Sequence, residues 1–351
     1  MATLAQAIRL ALHVGETRLG VQEIFGEDVG PPLGGVFTCT QGLKTAWNTP
    51  LDERGIVGMA LGLALAGSRP VAEIQFSDYI FNTIDLMKLV GNTRWCSHGA
   101  FEVPLVLMTP CGGGIHGGPY HSHSFEAMAT HIPGWKIVLP STPLDAYGLM
   151  ISSIKDPNPV LFLIPKALLR SPGDEKIPGE PDDPKELAVM INAPIGDRSR
   201  WKPKWPKLPD FEISIGPAKT VRTGEHVTVV TYGRMVQACT NAADRTAADR
   251  VTCDVIDLRT IFPYDFDAIR ASVEKTGRVL VVNEDTEVTN FGEHLIRRIV
   301  EECFYKLKAP PRLLAGLNTP CVAMAWSLER AQIPQPIDIE KAIREIAGIE
   351  P

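Results

Sequence analysis

Two groups of side chains in this sequence have types and spacings that could do chemistry. The first centres on Glu53, within NTPLDERGIVGMALGLALAG (Asn48 to Gly67), just ahead of a charge-free run from Gly55 to Gly67. A carboxylate at the mouth of an apolar segment can hold or move a proton where water does not weaken its hydrogen bonds. A helix N-terminal charge favoured by the macrodipole would look the same. The second group is the loop CGGGIHGGPYHSHS from Cys111 to Ser124, which carries His116, His121 and His123. His98 and His131 lie nearby, so five of the eight histidines are concentrated there. Three readings of this loop compete. A zinc site at His121 and His123 lacks a cysteine or carboxylate at a customary ligand spacing. A structural loop would use its glycines for turns and its histidines for hydrogen bonds. A substrate-facing histidine would donate a proton near neutral pH and stabilise charge developing on a carbonyl oxygen.

The elements that must position these groups follow from hydropathy periodicity. The run from Gly55 is shorter than the roughly 20 residues needed to cross a bilayer, so it predicts a buried core helix. Gly58 and Gly62 share one of its faces. Tight backbone packing there would offset the cost of about 1 kcal/mol per helical glycine, placing Glu53 at the edge of a dry interface. Strands are predicted at Gly20 to Gly30, Val71 to Phe81, VPLVLMTP, WKIVLP and VLFLIP, with helices between them, including one from about Thr83 to Trp95 and one from Asp145. This alternation implies a mostly parallel sheet, whose ligands collect at strand carboxyl ends. Glu27 with Asp28, Phe76 to Tyr79 and the loop from Cys111 all lie at such ends. A second alternating unit follows, with strands HVTVVTYG, VTCDVIDL, RVLVVNE and RLLAG. The expected fold is therefore α/β, with two doubly wound, mostly parallel-sheet domains at 1–170 and 213–351. The connection at 171–212 is rich in proline and charge and lacks periodicity. Its Trp201 and Trp205 are expected to pack on the protein or a partner.

Composition narrows the function classes. The chain has 351 residues, 44% hydrophobic and 22% charged, with a net charge of -6. Nucleic acid and anionic membranes are disfavoured as partners, since no concentrated basic face is visible. The seven cysteines are scattered, odd in number and form no CxxC, which suits free thiols in a reducing compartment. The N-terminal stretch predicts an ordinary first helix rather than a targeting segment.

FGEDVG, GGVFTCT, NTPLDERGIVG, AEIQFSDYIF, YHSHSFEA, VLPSTPLDAYGL, DPNPVLFL, VTYGRMV, VIDLRTIFPYD and KTGRVLVVNE recur in one order along the chain. Together they resemble the beta subunit of the thiamine-diphosphate-dependent decarboxylating component of 2-oxo acid dehydrogenase complexes, and IQFSDYIF, NTPL and EECF look most like the branched-chain type. The resemblance implies a transketolase-like pyrimidine-binding domain followed by a transketolase C-terminal domain. It implies that Glu53 hydrogen-bonds the cofactor pyrimidine and favours its imino tautomer, that Tyr79 stacks on the ring, and that Leu51 and Gln75 line the same pocket. His121 would face the substrate and lipoyl channel. Asp156 and Asn158, in DPNP, match a potassium-binding loop, although Ser153 stands where relatives have cysteine.

The family's diphosphate site needs GDG followed by asparagines that hold a divalent ion, and this chain contains no GDG. The resemblance therefore implies an alpha subunit that holds the diphosphate and Mg2+, an alpha2beta2 heterotetramer, and docking on a lipoyl acyltransferase core. The substrate would be a branched-chain 2-oxo acid, as for 3-methyl-2-oxobutanoate dehydrogenase, in the cytoplasm of a bacterium or the mitochondrial matrix of a eukaryote. The alternatives are a pyruvate or acetoin dehydrogenase beta subunit and a non-catalytic scaffold homologue. Where relatives have HEAP and a glycine pair, this chain has NEDTEVTNFGEH from Asn283, so those positions carry no inferred role.

Overall fold

The computed structural model describes residues 1–198 and 200–349. Its contacts group into two compact units, Met1–Pro110 with His131–Ile215, and Cys111–Thr130 with the chain from Gly216 onward. Each unit has a mostly parallel sheet flanked by helices.

In the first unit the strands are β1 (Ile24–Gly26), β2 (Ala46–Asn48), β3 (Val71–Glu73), β4 (Val106–Cys111), β5 (Lys136–Val138) and β6 (Val160–Pro165), in the order β5-β6-β4-β3-β1-β2. The register is parallel, with Ile24 opposite both Ala46 and Val71, and Val71 opposite Val106. Strands β4 and β6 are buried along their whole length, as befits a sheet covered on both faces. Helix α1 (Leu4–Arg18) starts in a capping box of Thr3 and Gln6 and is buried on almost every side. Helix α2 (Glu53–Leu65) begins where Asp52 accepts a hydrogen bond from the Gly55 amide, and α3 (Ile84–Cys96) follows β3.

Three expectations need correction here. The strand predicted over Val71 to Phe81 stops at Glu73, and Ser77–Thr83 forms a 3-10 turn. A chain leaving the carboxyl edge of a parallel sheet has no neighbouring strand to complete its ladder, so its backbone groups pair locally, as in the bond from the Tyr79 amide to the Phe76 carbonyl. The tight packing expected at Gly58 and Gly62 is not supplied by this chain. A Cβ on Gly62 would meet nothing within 4 Å, and one on Gly58 would only graze Leu86 at 4.0 Å. The proline-rich segment, finally, is not structureless. It contains α6 (Pro184–Ile191) and packs on its own unit, with Trp205 stacked on His13 at 4.0 Å and Trp201 covering Gly42. Buried Arg9 ties it down by donating to the carbonyls of Ile191 and Thr38 and to the Asn192 side chain. Between these segments α5 (Pro143–Lys155) packs along α1.

The second unit begins with the glycine-histidine loop and α4 (Glu126–Thr130). After Gly216 come β7 (Lys219–Arg222), β8 (Val227–Thr231), β9 (Cys253–Asp257), β10 (Thr260–Phe262), β11 (Val279–Thr286) and β12 (Arg312–Gly316). The sheet runs β12-β11-β8-β9-β7, parallel except for the edge strand β7. Helices α7 (Met235–Thr246), α8 (Phe266–Thr276), α9 (Phe291–Cys303), α10 (Trp326–Gln332) and α11 (Pro336–Ala347) accompany it. No helix among the described residues is long and apolar enough to cross a membrane.

Candidate functional site

Glu53 is the first residue of α2 and only 8% exposed, although its neighbours Asp52 and Arg54 are exposed. The sequence produces this because Asp52 takes the capping role, leaving Glu53 to turn inward beneath the 3-10 turn. There the Asn82 amide donates to its Oε2 at 3.0 Å. Tyr79 lies on the same turn, edge-on to Phe76 with ring centroids 5.9 Å apart. Its phenol is pushed up by burial, and further by the nearby charges of Asp78, Glu27 and Glu53.

Glu27, at the end of β1, completes this group. Its Oε1 is buried with no hydrogen-bond partner among the described residues. Burial raises its carboxyl, and the neighbouring Glu53 and Asp28 raise it further. Gln75 donates to Asp28 at 2.9 Å, and Asp28 adopts the left-handed φ of 58°, turning the chain at the strand end. Beneath this layer Glu73 is fully enclosed, and burial, then Asp28, lifts its carboxyl to about 8. Leu51 is 81% exposed and touches little of its own chain. The structure thus gathers Glu53, Tyr79 and Gln75 at one sheet edge with Glu27, which pattern reading placed at a strand end, and with Asn82, which it did not single out. The signal for Glu27 was present, since GEDVG marks a strand end with two acids.

The buried Glu53 carboxylate, the orphaned Glu27 oxygen and the Tyr79 ring fit a flat heterocycle with hydrogen-bond donors on its rim. They do not fit a diphosphate, because the group is acidic. Asp156 and Asn158 belong to the first unit too, but their side chains satisfy each other. Asn158 donates its backbone and side-chain N–H groups to Asp156 Oδ1, at 2.9 and 2.8 Å, and the Lys136 ammonium binds Oδ2. A carboxylate already neutralised by an ammonium is a poor ligand for a monovalent cation, so the side chains do not fit potassium. Among the described residues no group of three or more His, Cys, Asp or Glu is arranged to hold a metal.

His121 lies in the second unit, on the loop after β4. The loop is closed by the Gly112 amide donating to the His123 carbonyl at 2.9 Å, and His121 Nδ1 is 3.3 Å from the Gly117 carbonyl. Carboxylates far along the chain hold the loop. The Gly113 amide donates to Glu284 at 2.9 Å, Glu284 pairs with Arg234 at 3.4 Å, and the Gly114 amide donates to Glu329. His116 Nδ1 is 2.6 Å from the other Glu329 oxygen. Behind the loop Glu126 is buried and held well up by burial and by Asp285, whose own carboxyl burial lifts to about 6. None of Glu284, Asp285 or Glu329 was singled out in the sequence, for they stand 171 and 215 residues from the glycines that Glu284 and Glu329 hold.

The transketolase pyrimidine-binding domain family matches residues 3–172, and the transketolase C-terminal domain family matches residues 216–339. The chain is 39% identical over 357 residues to a 2-oxoisovalerate dehydrogenase subunit beta of Pseudomonas aeruginosa, covering 99% of this chain and 95% of that one. It is 36% identical to the 2-oxoisovalerate dehydrogenase subunit beta of Bacillus subtilis, covering 97% of each. A pyruvate dehydrogenase E1 component subunit beta of Acholeplasma laidlawii is 36% identical, with 99% of each chain covered. Among solved structures, a split gene transketolase described as an inactive beta4 tetramer superimposes over 100% of both chains with a TM-score of 0.71 and 15% identity, a likeness of fold.

Proposed function

Since the chain belongs to the beta subunits of the thiamine-diphosphate-dependent 2-oxo acid dehydrogenases, we propose that it provides the pyrimidine half of a shared active site that decarboxylates a branched-chain 2-oxo acid and passes the acyl group to lipoyl-lysine. The observation that carries this reading is Glu53, a carboxylate buried at a helix start and held by Asn82 beside Tyr79 and the unpaired Glu27 oxygen.

When bound, thiamine diphosphate supplies the carbon nucleophile and the electron sink for decarboxylation. This chain's residues do the rest on the pyrimidine side. Glu53 accepts a hydrogen bond at a fixed point, and the apolar body of α2 keeps water from competing for it. Tyr79 and Leu51 would line the pyrimidine ring, and Gln75 holds the strand-end turn through Asp28. His121 would present its imidazole from the loop, able to pass a proton during acyl transfer to the lipoyl group. In this reading 1–170 is the pyrimidine domain, 171–212 the connection and 213–351 the C-terminal domain, bounds supported by the family matches at 3–172 and 216–339, although Cys111–Thr130 groups by contacts with the second unit and 171–215 with the first.

The partners follow from what the chain leaves open. Gly58, Met59, Gly62 and Leu65 make an uncovered, largely apolar face on α2, and Leu51 projects beside it. An alpha subunit seated there in an alpha2beta2 assembly would bury that face and bring the Mg2+ and diphosphate ligands that this chain lacks, and a lipoyl acyltransferase core would receive the acyl group. An interior compartment, cytoplasm or mitochondrial matrix, suits scattered cysteines that form no CxxC.

The test is steady-state decarboxylation by the co-expressed alpha/beta pair with an artificial electron acceptor, comparing 2-oxoisovalerate, 2-oxoisocaproate and pyruvate with and without thiamine diphosphate. The expected result is a preference for the branched acids of about tenfold or more in kcat/KM, worth roughly 1.4 kcal/mol. A preference for pyruvate overturns the substrate, and no turnover with cognate alpha subunit and cofactor overturns the enzyme.

A further inference from the structure

The glycine-histidine loop contains one residue whose conformation its neighbours must enforce. His116 takes a left-handed φ of 57°, which a residue with a Cβ adopts at a cost. Its ring is 43% exposed, and Nδ1 lies 2.6 Å from Glu329 Oε2 on a side chain only 4% exposed, a close contact without hydrogen-bond geometry, since Oε2 has no hydrogen-bond partner among the described residues. The other Glu329 oxygen accepts the Gly114 amide. One carboxylate therefore meets the loop twice, by a hydrogen bond to its backbone and by a close contact with a ring. Arg234 pairs with Glu284, which holds the next amide, Gly113.

The glycine run exists for this grip. A Cβ on Gly113 would stand 3.0 Å from Glu329 Oε1 and 2.5 Å from Ile333, and one on Gly112 would stand 2.4 Å from Glu284. Farther along, a Cβ on Gly118 would meet Met324 at 2.4 Å, so the segment leading into α10 also covers the loop's far end. His121 is fixed relative to these points. It packs against Gly117, whose added Cβ would fall 2.5 Å from the His121 Cβ, and Gly117 adjoins His116.

We infer that Glu329 is a positioning residue: it accepts the Gly114 amide on one oxygen, stands against the His116 ring with the other, and by this clamp sets the loop that displays His121. The inference rests on the decarboxylase reading for what the loop acts upon, and on the geometry alone for the clamp itself.

The test uses the intact alpha/beta assembly with Glu329→Ala and Glu329→Gln. Three quantities are read: hydrogen exchange of residues 111–124, dye-coupled decarboxylation, and acyl transfer to a lipoylated domain. The expected result for Glu329→Ala is faster exchange across the loop and a loss of tenfold or more in acyl transfer, with dye-coupled turnover changed less than threefold. Glu329→Gln keeps an acceptor for the Gly114 amide and the bulk beside His116, and is expected to retain both loop protection and most of acyl transfer. Wild-type protection in Glu329→Ala overturns the inference. So does faster exchange with both activities lowered equally, because the contact would then be structural only. If the wild-type assembly turns over no 2-oxo acid, the decarboxylase reading fails by itself, and the exchange measurement still decides whether Glu329 clamps the loop.

Discussion

Helix α2 and the glycine-histidine loop both set glycines beside groups fit for proton chemistry, yet the two regions are finished in opposite ways. In the loop every glycine from Gly112 to Gly118 that admits a neighbour admits one from the same chain: Glu284, Glu329, Ile333, His121 or Met324. On α2 Gly58 and Gly62 face almost nothing of their own chain, and Leu51, Met59 and Leu65 stand exposed nearby. A glycine in a sequence marks close approach without saying whose atoms approach. The loop is self-complete, and α2 is half of something.

The largest expected effect is at the start of α2. Glu53→Gln keeps the size of the side chain and an acceptor for Asn82, while removing the carboxylate. In the alpha/beta assembly it is expected to lower turnover by about a hundred- to ten-thousandfold, with the thermal unfolding midpoint of the isolated chain nearly unchanged. Activity within tenfold of wild type would remove Glu53 from the chemistry and return it to the role of a helix-end charge.

Carboxyls enclosed behind both regions are pushed up, which gives a second contrast. In the first unit burial lifts Glu73 to about 8, against an ordinary 4.5. An acid whose folded-state value is raised lends its stability in full below the unfolded value, and that stability is lost as pH climbs toward the folded value. The native state should therefore weaken between about pH 4.5 and pH 8 through Glu73. Glu73→Gln is expected to flatten this slope and to gain roughly 2–4 kcal/mol at pH 8 in urea unfolding. An unchanged slope would mean that Glu73 is hydrated or paired in solution.

The self-complete loop should respond to a single methyl. Gly112 has a φ of 77°, and an added Cβ would lie 2.4 Å from Glu284 Oε1. Gly112→Ala is expected to cost about 1–2 kcal/mol for the left-handed backbone alone, and more if Glu284 must release Gly113. Calorimetry on the isolated chain would show this as a lowered midpoint, because no other subunit is needed to complete the loop.

Much of this was legible in the sequence because it is local. The helix after Glu53, the alternation of strands and helices, and the histidine-rich loop each declare themselves within about 20 residues. The residues that finish the sites do not. Glu284 and Glu329 reach the loop across 171 and 215 residues, and nothing in VVNEDTE or SLERAQ distinguishes them from solvated acids. The strand predicted to run to Phe81 failed at Ile74 because hydrophobic alternation continues into the 3-10 turn, where the sheet no longer offers pairing. Trp201 and Trp205 did foretell packing in the proline-rich segment. Its helix α6 was hidden because eight residues are too few to establish a period against that background.

The smallest expected effect separates the two regions most cleanly. Gly62 sits mid-helix with ordinary helical φ and open space where its Cβ would be, so Gly62→Ala should leave the isolated chain unharmed and even stabilise it by up to about 1 kcal/mol through helix propensity. If α2 is an interface, that gain reverses on assembly: the methyl occupies space meant for another backbone, and sedimentation or calorimetric titration should show weaker association with the alpha subunit. A larger side chain, as in Gly62→Leu, should deepen the loss without touching the stability of the chain alone. Tight packing by another chain predicts opposite signs for folding and for assembly at one position, whereas a solvated helix face predicts the same small gain in both. Equal association for wild type and Gly62→Leu would place the alpha subunit elsewhere and leave the glycines of α2 without the close approach that their cost implies.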